Sequence, residues 1–213
     1  MELGKFSEFK QVIAAILTFT IVIAFSFALQ DNWFLVAQTL LFAAIIIVLN
    51  VFAKKLVAYL LDADVEHQIW SFSRYGIFPE SHFENEWPFG IIIPLFFTLF
   101  TLGYLKVMTF LTYETRALKV RAAKRFGFYS YTEMTEWHNG LIGAAGIVAI
   151  LILSFVSYFP GFEYLSKIAA FYAFFNMLPL GKLDGSQIFF GSRVLWYTLA
   201  VITLIFTAYA LIL

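Results

Sequence analysis

Six apolar stretches of near-bilayer length, joined by short polar turns, restrict the fold of this chain more than any other feature. Val12 to Leu29, Trp33 to about Val51, Leu141 to Phe159 and Val194 to Leu213 read as spans, with a fifth from about Tyr164 to Leu180. A spanning helix takes about 20 apolar residues. Five spans therefore use most of the 213 residues, and the chain reads as a single integral membrane domain, residues 1–213. Composition agrees, because 62% of residues are apolar and 13% charged, against about 25% charged in soluble domains. The formal net charge is zero, with no long run of either sign, which argues against a nucleic-acid surface. With no cysteine, disulfides and thiolate chemistry are excluded. Lys5 and Lys10 ahead of an apolar run resemble a signal peptide. The run is long, however, and no small-residue cleavage site precedes Asp31, so it reads as a retained span.

The sixth stretch, Pro88 to Leu111, contains Pro94, Gly103, Tyr104 and Lys106. Basic residues concentrate in short cytoplasmic loops, and that rule decides how to treat it. Lys5 and Lys10 put the N-terminus inside, and the turn Gln30 to Asn32 suits the outside. Lys54, Lys55 and Arg74 then fall inside. Arg116, Lys119, Arg121, Lys124 and Arg125 also fall inside only if residues 88–111 enter the membrane and return. The same choice puts Tyr158 to Glu163 outside and Lys182 and Arg193 inside. The expectation is five spans plus one re-entrant segment. Partial alternation over Val65 to Tyr75 predicts a short interfacial strand, with Arg116 to Met134, turning at Gly127, as its partner. Trp33, Trp70, Trp87, Trp137 and Trp196 read as an interfacial belt facing membrane lipids.

Chemistry concentrates in FNMLPLGKLDGSQIFFGSR, Phe175 to Arg193. An ionisable residue at the end of a span marks a functional site by default, because a buried carboxylate needs a cation or a donor. The plainer reading is a helix-terminal Asp184 solvated at the interface. Asn176, Pro179, Leu183, Asp184 and Gly185 match in order and spacing the Asn-x-x-Pro-x-x-x-Leu-Asp-Gly signature. The chain thus resembles the site-2 protease family of intramembrane zinc metalloproteases. The resemblance implies an all-α polytopic membrane protein, a site-2-protease-like helical bundle with a short interfacial β segment, over a core of about residues 33–193. In that family the Asp is the third protein ligand of a catalytic zinc, and an earlier HExxH helix supplies two His ligands and a Glu general base. Two His at i and i+4 share one helical face.

At the matching place, LNVFAKKLVAYLL, that chemistry is missing. Asn50 stands at the first His position, Val51 at the Glu position and Lys54 at the second His position. His67, His82 and His138 are the only histidines, and no two are spaced as helical ligands. In GLIGAAGIVAILILS the family's third region is echoed by Gly143 and Gly146, but Ile147 replaces the expected Pro and Ile150 the expected Asn. Depth is consistent, since Trp33 to Asn50 rises about 26 Å and Tyr164 to Asp184 about 30 Å if helical throughout.

A lone carboxylate does not hold zinc against water, and Val51 cannot accept a proton. The resemblance therefore implies neither bound metal nor proteolysis, although active members use zinc. Two readings of Lys54 stand. Its ammonium either neutralises Asp184 in place of a metal, or snorkels with Lys55 to headgroups. Likewise Asn176 and Pro179 either border a surviving client groove or only close a helix end. The leading expectation is a non-catalytic homologue that holds membrane-embedded client segments. The alternatives are an active metalloprotease recruiting His67 or Glu66, and a small transporter using Lys54 and Asp184 as a charge relay.

Overall fold

In lipid a chain must satisfy its own backbone hydrogen bonds, which makes apolar runs helical. The structure, a computed structural model, describes residues 2–74, 82–118 and 134–212 and contains seven helices within them. Four are long and apolar enough to cross a membrane: Ser7–Ala28 of α1 (Glu2–Ala28), α2 (Trp33–Leu60), α4 (Glu136–Tyr158) and α7 (Arg193–Ile212). They mark a multi-pass membrane protein. Three are shorter, namely α3 (Phe89–Phe100), α5 (Glu163–Met177) and α6 (Asp184–Gly191). The fifth expected span is thus shorter as a helix, at 15 residues. Its end has a local cause. Leu178 is extended (φ −63°, ψ 133°) ahead of Pro179, and the residue before a proline is pushed out of the helical region. Helix α2, conversely, runs past Val51 to Leu60.

The strands are β1 (Ala63–Ile69), β2 (Phe72–Arg74), β3 (His82–Trp87) and β4 (Leu111–Ala117). β1 pairs with β4, and β2 pairs antiparallel with β3. The expected strand over Val65 to Tyr75 is split, with β1 ending at Ile69 and β2 starting at Phe72 in a different sheet, and the partner of β1 begins at Leu111, inside the sixth apolar stretch. The turn expected around Gly127 lies outside the described residues.

The chain divides into two compact units, residues 1–44 with 68–112, and residues 45–67 with 113–213. In the first, the 88–111 segment folds back on itself beside α1. Gly90 N donates to Trp70 O (2.8 Å) and Trp70 N to Phe110 O (2.9 Å), so both ends of the segment meet. Ile69 N donates to Gln11 Oε1 (2.7 Å) at the same end of α1. At the other end Gly103 packs against Phe25 and Ser26, and Lys106 Nζ lies 3.5 Å from Ser26 Oγ. Gln11 and Ser26 are about 22 Å apart along a helix, so α3 descends most of α1 and residues 104–110 return without regular secondary structure. The reversal uses Leu102 (φ 52°) and Gly103 (φ 85°). Gly90 is needed where the arms meet, because a Cβ there would run into the Phe110 carbonyl.

In the second unit α4 is central, packing on α5 and α6, while α5 also packs on α7. Small residues permit this closeness. Gly140 of α4 faces Gln187 O and the Cα of Gly191, and Gly191 faces Glu136 O. Ala58, Ala63, Val65, Tyr113 and Ile142 form a buried cluster joining the end of α2 and the β1–β4 sheet to α4.

Candidate functional site

Asp184 is the first residue of α6 and is 1% exposed. A helix N-terminus carries partial positive charge and suits a carboxylate. Its main partner comes from elsewhere in the chain. Lys54 Nζ lies 2.8 Å from Asp184 Oδ1 and 2.7 Å from Oδ2. The contact to Oδ1 is a directed hydrogen bond, whereas Oδ2 receives the ammonium off its hydrogen-bonding direction. Of the two readings for this lysine, the observed one is the ion pair. Lys54 is 1% exposed, while the adjacent Lys55 is exposed.

The space for this pair is made by α4. A Cβ on Gly146 would lie 2.6 Å from Lys54 Cε and 3.2 Å from both Lys54 Cγ and Asn50 Oδ1. Asn50 and Lys54 therefore occupy one face of α2, as their i, i+4 spacing requires. Asn50 is 2% exposed, and among the described residues its Nδ2 has no hydrogen-bond partner. One turn earlier on α4, Gly143 makes room for Tyr113, whose hydroxyl would lie 2.6 Å from a Cβ there. That hydroxyl donates to Asn139 O (2.6 Å), and Lys54 Nζ sits 4.7 Å from the centre of the Tyr113 ring. Burial, reinforced by the nearby Asp184 charge, holds the Tyr113 phenol well above the ordinary tyrosine range, so it remains a neutral donor.

The remaining motif residues shape the approach to Asp184. Asn176 Nδ2 donates to Tyr172 O (2.9 Å) within its own helix, and Pro179 is exposed at the helix end. Met177 O accepts from Trp196 Nε1 (3.1 Å). Leu183 is fully buried, and its carbonyl accepts from Ser186 N (3.1 Å) and Gln187 N (3.3 Å), opening α6. Gly185 lies hard against the carbonyls of Met177 and Leu178. Since those are backbone atoms, Gly185→Ala is expected to cost about 1–3 kcal/mol as overpacking. Thermal unfolding in detergent reads this out, and an unchanged midpoint would contradict the packing described.

The proposed substitute ligands part company. β1 alternates, with His67 buried and facing the Tyr113 ring at 6.4 Å, while Glu66 points to the other face and pairs with Arg116 (3.2 Å). Among the described residues no three His, Cys, Asp or Glu side chains converge as a metal site. The donors present around Asp184 do not fit zinc. Its carboxylate already faces an ammonium, and positions 50 and 54 offer an amide and a cation where a zinc site needs imidazoles. Val51, on the adjoining position, carries no group able to take a proton.

Beside the pair, a cavity of about 450 Å³ opens along β4, lined by Tyr113, Asn139, Ser186, Gln187 and Phe190 among others. Gln187 Nε2 bridges it, donating to Tyr113 O (3.0 Å). Sequence reasoning missed Tyr113 as a site residue. Its signal was the alternation Tyr113, Thr115, Ala117 against Glu114 and Arg116, which marks a strand with one buried face. Compared with known proteins, the chain matches no family model, no curated protein and no solved structure.

Proposed function

We propose that this chain is a non-catalytic relative of the site-2 proteases that holds membrane-embedded client segments without cutting them. One observation carries the reading. The places where that family keeps its HExxH helix, its glycine-bearing helix and its Leu-Asp-Gly turn meet here at one buried point, as Asn50 and Lys54 on Gly146 and Asp184. A buried carboxylate draws a cation in any fold, so the support for a kept cleft is that all three regions meet at it. A lysine in the carboxylate's reach supports a cleft maintained without hydrolysis.

The client reading predicts selective cross-linking. A photoreactive phenylalanine analogue at Leu180 or Phe190, both exposed beside the cleft, should capture a single-span peptide interrupted by Asn-Pro several-fold more than an all-leucine span in the same nanodiscs. The analogue at Val201, an exposed position on α7, should not discriminate. Equal capture of both peptides at all three positions would end the client reading.

The same reading puts the Asp184 end of the bundle and the N-terminus in the cytoplasm, in keeping with the distribution of basic loops. Because the chain has no cysteine, single-cysteine variants test this cleanly. Cysteines at Asn32 and Phe162 should react with an impermeant maleimide on intact cells, and those at Lys55 and Lys182 only after permeabilisation. The opposite pattern would reverse the orientation.

A further inference from the structure

We infer that Asp184, Tyr113 and Gly146 form a receptor for a primary alkylammonium, of which Lys54 is the tethered occupant. A primary ammonium is compact, with three N–H groups around one nitrogen, and three groups of the site face it. Asp184 Oδ1 accepts its hydrogen bond at 2.8 Å, Oδ2 lies in charge contact at 2.7 Å, and the Tyr113 ring is 4.7 Å away. An aromatic face attracts a cation through its quadrupole, more strongly away from water. The alkyl stem has its own slot, since Gly146 leaves space along Lys54 Cγ and Cε that any side chain would fill. The walls hold their shape independently of the lysine. Tyr113 is anchored by its bond to Asn139 O, Asp184 by the start of α6, and Gly146 by α4.

This arrangement selects by shape as well as charge. Guanidinium also pairs with a carboxylate and stacks on a ring, but it brings no alkyl stem to fill the slot along Gly146. A quaternary ammonium has no N–H to give the carboxylate. In a membrane interior the fitting ligand class is presented by a lysine side chain, and here the chain supplies its own. The inference concerns the site alone and stands whether or not the cleft holds clients.

Lys54→Ala removes three methylenes and the ammonium, the atoms of propylammonium. Purified Lys54→Ala protein in detergent should therefore be destabilised and then recover on adding propylammonium. We expect a saturable rise in melting temperature of about 5 °C, with no comparable rise from tetramethylammonium, guanidinium or sodium at equal ionic strength. Wild type, with its slot filled, should not respond. Lys54→Met keeps an unbranched stem in the slot and should not respond either, and Lys54→Ala/Asp184→Asn should lose the response. If Lys54→Ala cannot be purified alone, extraction in propylammonium should yield monodisperse protein where sodium chloride does not. Equal loss in both salts, equal rescue by tetramethylammonium, or rescue that survives Asp184→Asn would overturn the inference.

Discussion

A variant carrying Asn50→His and Lys54→His is expected to retain about one zinc ion per chain after dialysis, where a variant also carrying Asp184→Asn retains none. The two positions lie one turn apart on α2 and pack against the same glycine of α4. The end of the Lys54 side chain already reaches within 2.7 Å of the Asp184 carboxylate. Zinc sits about 2.0–2.2 Å from nitrogen and carboxylate ligands, so a metal near the present ammonium position satisfies the carboxylate with little movement of α6. Two histidines and one carboxylate make a three-ligand site with an open fourth position. At a hundredfold excess over its dissociation constant, zinc should stabilise the variant by about 2.7 kcal/mol. That is a rise in melting temperature of roughly 5–10 °C, reversed by a chelator. Elemental analysis and thermal unfolding give the two readouts. A folded double-histidine variant that binds no zinc would show that the three regions do not converge as the proposed function requires.

How far such a site can be read from sequence depends on which forces placed each part. The long helices α1, α2, α4 and α7 were legible because lipid leaves an apolar run of that length little alternative. The 88–111 segment was legible as apolar but not as a shape. Its helix stops at Phe100, Leu102 and Gly103 adopt positive φ, and its last residue starts β4. Hydropathy averages over those changes because the residues stay apolar throughout. At the site, Asp184 stood out as a carboxylate beside an apolar helix, and Asn50 and Lys54 by their spacing from a shared motif position. Whether Lys54 faced inward could not be read, because Lys54 and Lys55 are chemically identical neighbours. The answer lay with Gly146, almost a hundred residues later, which opens the space that Lys54 enters. Tyr113 was hidden for a related reason, since its role depends on Gly143 giving way to its hydroxyl. A glycine announces closeness, but not to what.

Breaking the Lys54–Asp184 pair from one side is expected to destabilise the protein by about 3–5 kcal/mol, because the surviving charge stays buried without a counterion. Lys54→Met leaves the Asp184 carboxylate with the helix start as its support, and Asp184→Leu leaves an ammonium against an aromatic ring. Each should lower the melting temperature by roughly 10 °C or more. Removing both charges together should recover most of that loss, since a well-packed apolar pair often equals or exceeds a buried salt bridge in stability. The coupling energy from the full cycle isolates the pair from the volume changes of the single substitutions. Lys55→Met serves as control: that side chain is exposed one residue away, and exposed substitutions cost little, within about 0.5 kcal/mol. If Lys54→Met were as stable as wild type, the ammonium would not be supporting the carboxylate. If the double variant were as unstable as the singles, the loss would come from packing around Gly146 rather than from charge. A double variant that is stable but no longer captures interrupted spans would separate the two roles, with the charges kept for the cleft and not for the fold.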